Sequence, residues 1–139
     1  AFADEVNADV YVMTHTTAPF ISMESIEKGI DAVLSEQYDS AFAVKKLQDF
    51  LWKDGMPFNY DMENIPRTQD LPELYEETSG FYIYKNEIIK NKGRRIGDNP
   101  YMVEIGEIES VDIDEPEDFE IADAIYNYMR MKGEISINE

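Results

Sequence analysis

The apolar positions of the first part of the chain follow two different periods, which predicts alternating strands and helices. Residues 9–14 and 40–44 are short runs of β-branched, aromatic and alanine residues, typical of buried strands. Between them, over residues 23–36, apolar residues recur every three or four positions after Ser22, a favourable helix N-cap. A strand, a helix and a strand in this order predict a βαβ unit with a parallel sheet and a right-handed crossover.

The second half of the chain continues the alternation. Residues 80–84, 101–105 and 110–114 predict three more strands, and a short helix, ended by Gly93, is expected over residues 86–91. A last helix should begin at Pro116, because proline suits the first helical position. The predicted buried face of this helix consists of Phe119, Ala122, Ile125, Tyr126 and Met129. The pattern as a whole predicts an α/β fold.

Residues 45–79 interrupt the alternation with prolines and large apolar residues that follow no clear period. A segment of this length without regular structure inside a compact domain is usually functional. Its aromatic side chains are too large to leave in water as one patch. They predict either a small local core or a dimer surface, and they include Phe50, Trp52, Phe58 and Tyr60.

Length and composition narrow the class of protein. The chain has 139 residues, which fits one domain, and its longest apolar runs are shorter than the ~20 residues of a membrane helix. It has no cysteine and a single histidine, which excludes disulfides, thiol catalysis and multi-histidine metal sites. Twelve basic and 30 acidic residues give a net charge of −18, so we expect neither nucleic acid nor a membrane as a partner. A cytoplasmic location fits these features.

The strongest candidate for chemistry is the pair Asp112 and Asp114, in the predicted strand 110–114. Residues i and i+2 of a strand point to the same side, so the two carboxylates would project together. Such oxygen ligands suit Mg²⁺ (or Mn²⁺), which completes its shell with water and substrate phosphates. The alternative is a solvated Asp112 and an Asp114 that caps the following helix. A position at the carboxyl end of a sheet strand favours the metal site.

Three further positions are candidates for binding a substrate. Arg67 lies between two prolines that would hold its guanidinium in place for a carboxylate or phosphate, although taken alone it is better explained by pairing with a nearby acid. Thr17 follows the first strand. Its hydroxyl could bind a ligand at the end of that strand, or Thr17 could belong to an ordinary loop between the strand and the next helix. Lys53 is either a substrate contact or a solvated lysine. The chain contains no nucleophilic triad and no Gly-rich phosphate loop.

Four segments in a fixed order resemble the acylneuraminate cytidylyltransferase (CMP-sialic acid synthetase) family. They are TTAPF at residues 16–20, PRTQDLP at 66–72, GFYIY at 80–84 and SVDIDEPEDF at 110–119. The resemblance covers about residues 9–130. It implies a partial doubly wound, mostly parallel (Rossmann-like) sheet with an inserted dimerisation arm, formed by residues of about 48–66 and 94–106 of a single domain.

The resemblance also implies an activity: transfer of CMP from CTP to a keto-sugar acid, with release of pyrophosphate. Asp112 and Asp114 would match the family's catalytic, metal-binding acids. Arg67, Gln69 and Lys53 would contact the substrate, and Thr17 would line the sugar pocket. The resemblance further implies a homodimer. A metal suits this chemistry, because both substrates and the chain itself are anionic.

The sequence departs from the family pattern in two ways. The family's Gly-rich nucleotide loop has no counterpart in this chain, so we expect the chain to be the carboxyl-terminal part of such an enzyme and inactive without that loop. Thr16 and Ala18 also replace the family's more usual residues, which leaves the sugar open. Two rival hypotheses are a non-catalytic sugar-acid-binding or dimerisation module, and another nucleotide-sugar transferase whose D-x-D motif holds a diphosphate.

Overall fold

A computed structural model describes residues 8–134, which form a four-stranded sheet, a small hairpin and three α-helices. A 3₁₀ turn at Thr68–Asp70 precedes the long fifth strand. None of the helices in this part of the chain has the length and apolar character needed to cross a membrane. The strands are β1 Val10–Thr14, β2 Ser40–Leu47, β3 Trp52–Lys53, β4 Met56–Pro57, β5 Leu74–Lys85 and β6 Pro100–Ile105, and the helices are α1 Met23–Leu34, α2 Asn86–Lys92 and α3 Pro116–Met131.

The strand order of the main sheet is β1-β5-β2-β6. Strands β1, β2 and β6 run in one direction, and β5 runs in the opposite direction between β1 and β2. The prediction of a mostly parallel sheet is therefore right for strand directions but wrong for pairings, since only β2 and β6 pair in parallel. The reason is topological: β5 inserts into the βαβ unit and separates the two strands that the unit was expected to pair.

One face of the sheet is covered by α1, as the helical period predicted. Ser22 caps this helix by accepting a hydrogen bond from the backbone N–H of Ser25 at 3.1 Å. Gly29 lets the helix approach the sheet closely, because a Cβ at this position would lie 2.6 Å from Cδ1 of Ile83. The core between helix and sheet contains Val33, Ala41, Ala43, Phe81, Ile83, Val103 and Ile105.

The opposite face of the sheet carries a second, more aromatic core. Tyr11 and Tyr84 stack there with ring centroids 5.7 Å apart. The short helix α2, ended as predicted by Gly93 in the left-handed conformation at φ 63°, contributes the buried Ile88. The remaining buried members of this core are Phe42, Val44 and Tyr82.

The irregular segment predicted for residues 45–79 is shorter in the structure, because β2 continues to Leu47 and β5 begins at Leu74. Between them lies the β3–β4 hairpin, which leaves Trp52 57% and Met56 63% exposed. The second segment predicted for the arm contains β6, which lies at an edge of the main sheet. The dimerisation arm itself stays a prediction.

The strand predicted at residues 110–114 is wrong. A turn closes at Ser110, whose N–H donates to the carbonyl of Gly106, and the following residues up to 114 belong to neither sheet. The backbone N–H of Ile113 donates to the carbonyl of Thr17 instead of to a strand. Alternating apolar and acidic residues imitated a strand here, although the segment packs against a loop.

Helix α3 begins at Pro116 as predicted, but its predicted buried face is largely uncovered. Only Ala122 is buried, whereas Phe119 is 62% and Tyr126 38% exposed. The helical period identified the apolar side correctly. It did not reveal that within residues 8–134 little packs against that side.

Candidate functional site

The segment that carries Asp112 and Asp114 is fixed at the carboxyl end of β1. The N–H of Ile113, between the two acids, donates to the carbonyl of Thr17 at 2.8 Å. The hydroxyl of Ser79 donates to Oδ2 of Asp112 at 3.2 Å. The acid pair therefore lies beside the loop after β1, where it is held by loop contacts rather than by the strand that the sequence predicted.

A third contact ties the same segment to the start of α1. Oε1 of Glu109 accepts hydrogen bonds from the backbone N–H of Ser22 and from the hydroxyl of Ser25, both at 2.8 Å. A carboxylate at a helix N-terminus satisfies free N–H groups and is favoured by the helix dipole. Glu109 thus couples the acidic segment to the best-packed helix of the protein.

The charge of Asp112 affects the protonation of Asp114. The pKa of Asp114 is raised above its ordinary value, chiefly by the negative charge of Asp112. Oδ1 of Asp112 is buried and has no hydrogen-bond partner. An orphaned carboxylate oxygen beside a second carboxylate is an unfavourable arrangement that a bound cation would relieve.

These residues fit a divalent ion that is shared with a substrate. Residues 8–134 contain no cluster of three or more histidine and carboxylate side chains suited to a metal. Mg²⁺ typically needs only one or two carboxylates and takes its other ligands from water and phosphates. Asp112 and Asp114 are therefore sufficient for such a site, and they would not form a closed structural metal centre.

A pocket of about 240 Å³ lies beside Asp112. Its wall includes the irregular part of β5, where the pairing with β2 shifts register between Phe42 and Val44. Such bulges redirect side chains and are common next to active sites. The pocket is lined by hydroxyl and carboxylate groups of Glu76, Glu77, Thr78, Ser79, Tyr82, Ser110 and Asp112.

Tyr82 is the aromatic residue of this pocket. Its hydroxyl donates to Oε1 of Glu77 at 2.7 Å, and its ring lies 6.2 Å from that of His15 between centroids. Burial and the hydrogen bond to Glu77 raise the pKa of Tyr82 to about 12. The guanidinium carbon of Arg95 lies 4.2 Å from the centre of the Tyr82 ring, a cation–π contact.

Of the predicted substrate residues, the structure brings Thr17 into contact with the acidic segment. Arg67 instead binds Asp70 with two hydrogen bonds of 2.7 and 3.3 Å, and its side chain is 73% exposed. The carbonyl of Gln69 accepts a hydrogen bond from Gln48, and Lys53 is exposed on β3. None of the described contacts of Arg67, Gln69 and Lys53 therefore involves Asp112 or Asp114.

Sequence reasoning did not identify Ser79, Glu109, Tyr82 or Arg95 as parts of the site. Glu109 and Ser79 carry no local motif, because their partners are more than 30 residues away in the chain. Tyr82 belongs to the GFYIY segment, which was interpreted as a strand and as one of the four family-like segments, but not as part of a binding site. Arg95 could have been chosen as a candidate for its positive charge, because the chain has few basic residues.

No protein-family model matches the chain. N-acylneuraminate cytidylyltransferase A of Danio rerio is 28% identical over 123 aligned residues. The match covers 83% of this chain and 28% of that protein, so the chain spans less than a third of this relative. The resemblance to acylneuraminate cytidylyltransferases is confirmed.

Solved structures of other cytidylyltransferases share the fold. The chain superimposes on 4-diphosphocytidyl-2C-methyl-D-erythritol synthase from Anaerococcus prevotii with a TM-score of 0.62 and 16% identity, covering 91% of this chain and 63% of that one. For 2-C-methyl-D-erythritol 4-phosphate cytidylyltransferase from Thermus thermophilus the TM-score is 0.54 at 16% identity, with 91% and 66% covered. At this identity the likeness supports the α/β, Rossmann-like fold.

Proposed function

We propose that this chain supplies the sugar and metal side of a cytidylyltransferase that transfers CMP from CTP to a keto-sugar acid and releases pyrophosphate. The observation that carries the proposal is the pair Asp112 and Asp114, with its unpaired carboxylate oxygen, in a chain similar to N-acylneuraminate cytidylyltransferase A. The sialic-acid-like or related nonulosonic or octulosonic acid and the homodimer belong to the same proposal.

In this function Asp112 and Asp114 would hold Mg²⁺ or Mn²⁺. The metal would neutralise the negative charge that develops on the phosphate when the sugar hydroxyl attacks it. Ser79 occupies Oδ2 of Asp112, which leaves Oδ1 for the metal. The bond between Ile113 and the Thr17 carbonyl fixes the spacing between the acids and the loop after β1. The acids then act from a prearranged position.

The remaining substrate contacts are assigned by resemblance. The Thr17 hydroxyl would bind sugar hydroxyls beside the acids. Arg67 and Gln69 would bind the sugar acid, for which Arg67 must exchange its pairing with Asp70. Lys53, on an exposed hairpin, would be a further contact. Nucleotide contacts would come from a Gly-rich loop that this sequence does not contain, so CMP transfer should require a polypeptide that carries it.

The metal site is tested directly by Mn²⁺ titration of isotopically labelled protein. Bound Mn²⁺ should broaden the amide resonances of residues 111–114 and 79 before others. Asp112→Asn should abolish this selective broadening. Glu117→Gln, which removes a neighbouring acid of α3, is the matched control and should leave it intact. Broadening spread evenly over the acidic surface would refute the site.

Turnover is tested by mixing the chain with a separately produced amino-terminal segment that carries the nucleotide loop. CTP, Mg²⁺ and a panel of eight- and nine-carbon keto-sugar acids are then added, and pyrophosphate release is measured. We expect release with at least one sugar acid and none with Asp112→Asn. Absence of release with every sugar acid, although the two segments bind each other, would contradict the proposed activity.

One observation favours a second function, a sugar-acid-binding module without catalysis. The pocket beside Asp112 is lined by hydroxyl and carboxylate groups that suit sugar hydroxyls, and its lining residues include no lysine or arginine that would bind a phosphate. This alternative predicts that Asp112→Ala leaves sugar-acid binding unchanged and that Mg²⁺ does not bind. Calorimetry with Mg²⁺ and CTP, alone and together, separates the two functions.

A further inference from the structure

The charge of the pocket beside Asp112 is unfavourable for binding an acidic ligand. Three carboxylates, Glu76, Glu77 and Asp112, line it, and no lysine or arginine is among its lining residues. Carboxylates and hydroxyls suit the many hydroxyl groups of a sugar, because they accept and donate hydrogen bonds. They repel the carboxylate of a keto-sugar acid. A cation at the rim of the pocket, in addition to the metal proposed at Asp112, would offset this repulsion.

Arg95 is placed to be that cation. Its guanidinium lies over the ring of Tyr82, and Tyr82 lines the pocket. A guanidinium stacked on an aromatic face keeps its N–H groups in its own plane, where they remain available for a planar carboxylate. Tyr82 stays a neutral phenol, since its hydroxyl is held by Glu77. The stacking surface is thus stable over the physiological pH range.

The neighbouring cations of the same loop are already paired. Lys92 and Arg94 both contact the carboxylate of Asp98. Within residues 8–134, no carboxylate lies within ion-pairing distance of Arg95, whose described partner is Tyr82, through both the ring and the hydroxyl of that residue. Since Arg95 has no ion pair to give up, a ligand can bind its guanidinium without displacing a carboxylate of the protein.

The backbone that carries Arg95 is anchored to the sheet. The N–H of Gly97 donates to the hydroxyl of Ser40 at 2.9 Å, and the N–H of Asp98 donates to Oδ2 of Asp39 at 2.8 Å. Ser40 is fully buried at the start of β2. A built-in Cβ at Gly97 would collide with the carboxylate of Asp39. The loop is therefore held two residues beyond Arg95, which limits the reach of its side chain.

We propose that Arg95, supported by Tyr82, binds the carboxylate of the keto-sugar acid and makes the pocket selective for acidic over neutral sugars. This inference rests on the proposed function and adds a substrate-binding residue to it. The two arginines would then contact different parts of the ligand. Arg95 binds the carboxylate of the sugar acid, and Arg67 binds another part of the same molecule.

The test combines a mutation in the protein with a chemical change in the ligand and measures binding for each combination. Calorimetry measures binding of N-acetylneuraminate and of its methyl ester, which lacks the charge, to the wild-type chain and to Arg95→Leu. We expect Arg95→Leu to weaken binding of the acid by about tenfold, the effect of losing one charged hydrogen-bonding partner, and to leave the ester unchanged. Arg95→Lys should restore part of the loss.

Arg94→Leu is the matched control, because it removes the same charge from the adjacent position. It should bind acid and ester as the wild type does. If Arg95→Leu weakens both ligands equally, or if Arg67→Leu rather than Arg95→Leu removes the preference for the acid, the role of Arg95 is refuted and the proposed function stands. If the wild-type chain binds neither ligand, the proposed function fails as well, so the two failures are distinguishable.

Discussion

Helices α1 and α3 show the same sequence pattern and have different environments. Each has apolar residues at helical spacing and a recognisable start, Ser22 for α1 and Pro116 for α3. In α1 the apolar side is closed against the sheet, and Val33 is completely buried. In α3 only Ala122 is buried. Periodicity therefore reports which side of a helix is apolar, but not whether another element covers it.

The difference matters for the site, because the acid pair lies between the two helices. Glu109 ties the acidic segment to the N-terminus of α1. Asp114 leads directly into α3, whose first turn is held by a capping box between Glu115 and Asp118. The flank at α1 is stabilised by packing of the helix against the sheet, and the flank at α3 by hydrogen bonds at the helix start. We therefore expect mutations in the core beneath α1 to lower the free energy of unfolding more than mutations on α3.

The largest difference should appear in the core. Ile83→Ala, at a fully buried position between α1 and the sheet, should lower the free energy of unfolding by about 3 kcal/mol, from lost apolar contacts and the cavity left behind. Phe119→Ala on α3 should change it by less than about 1 kcal/mol, because the ring is largely exposed. Urea denaturation measures both. Equal losses would mean that α3 is covered in solution.

A smaller effect is expected at the anchored loop before β6. Gly97→Ala forces a methyl group against Asp39 and disturbs the hydrogen bonds of that carboxylate to Asp98 and Asn99, so it should cost about 2 kcal/mol. Gly106→Ala is the control, because its Cβ would meet no atom within 4 Å. Similar thermal unfolding of the two variants would argue against the anchoring role of Asp39.

On the other flank, Asp118→Ala should destabilise the start of α3 by about 1 kcal/mol, as expected for the loss of a helix cap. The Asp118 carboxylate accepts the N–H groups of Glu115 at 2.9 Å and Asp114 at 3.1 Å. Amide hydrogen exchange of these two residues should accelerate. Glu120→Ala removes an equal charge two residues further along the helix and should leave their exchange rates unchanged, otherwise the cap is not what protects them.

The smallest expected effect on stability concerns the acid pair itself and is better seen in a titration. Asp112→Asn should lower the pKa of Asp114 towards 3.8, because the charge of Asp112 is the main cause of its rise. In the wild type the folded protein binds this proton more tightly than the unfolded chain. The free energy of unfolding therefore falls as the pH rises through the raised pKa of Asp114, and the variant loses the part of this dependence that Asp112 causes.

Carboxyl NMR measures the pKa of Asp114 directly in both proteins. Glu117→Gln provides the comparison, since Glu117 is not among the causes of the shift although it lies closer in the chain than Asp118. If Glu117→Gln lowers the pKa of Asp114 as far as Asp112→Asn does, the shift reflects the general acidic field rather than the pair.

Much of the fold followed from the sequence because it depends on local physics. The period of apolar residues located β1, α1, the first part of β2 and β6, and residue-specific signals located Ser22, Gly93 and Pro116 at helix ends. The ordered motifs also identified the cytidylyltransferase resemblance, which the zebrafish relative supports. These features need only residues that are neighbours in the chain.

The tertiary structure alone decided the features that join distant residues. The insertion of β5 between β1 and β2 arises from pairings across the whole chain. The acid pair is held by Ser79, Glu109 and the Thr17 carbonyl rather than by strand geometry. The sequence by itself determined that Asp112 and Asp114 lie together before a helix. Which groups surround them depends on side chains brought together by folding, and no local period records those contacts.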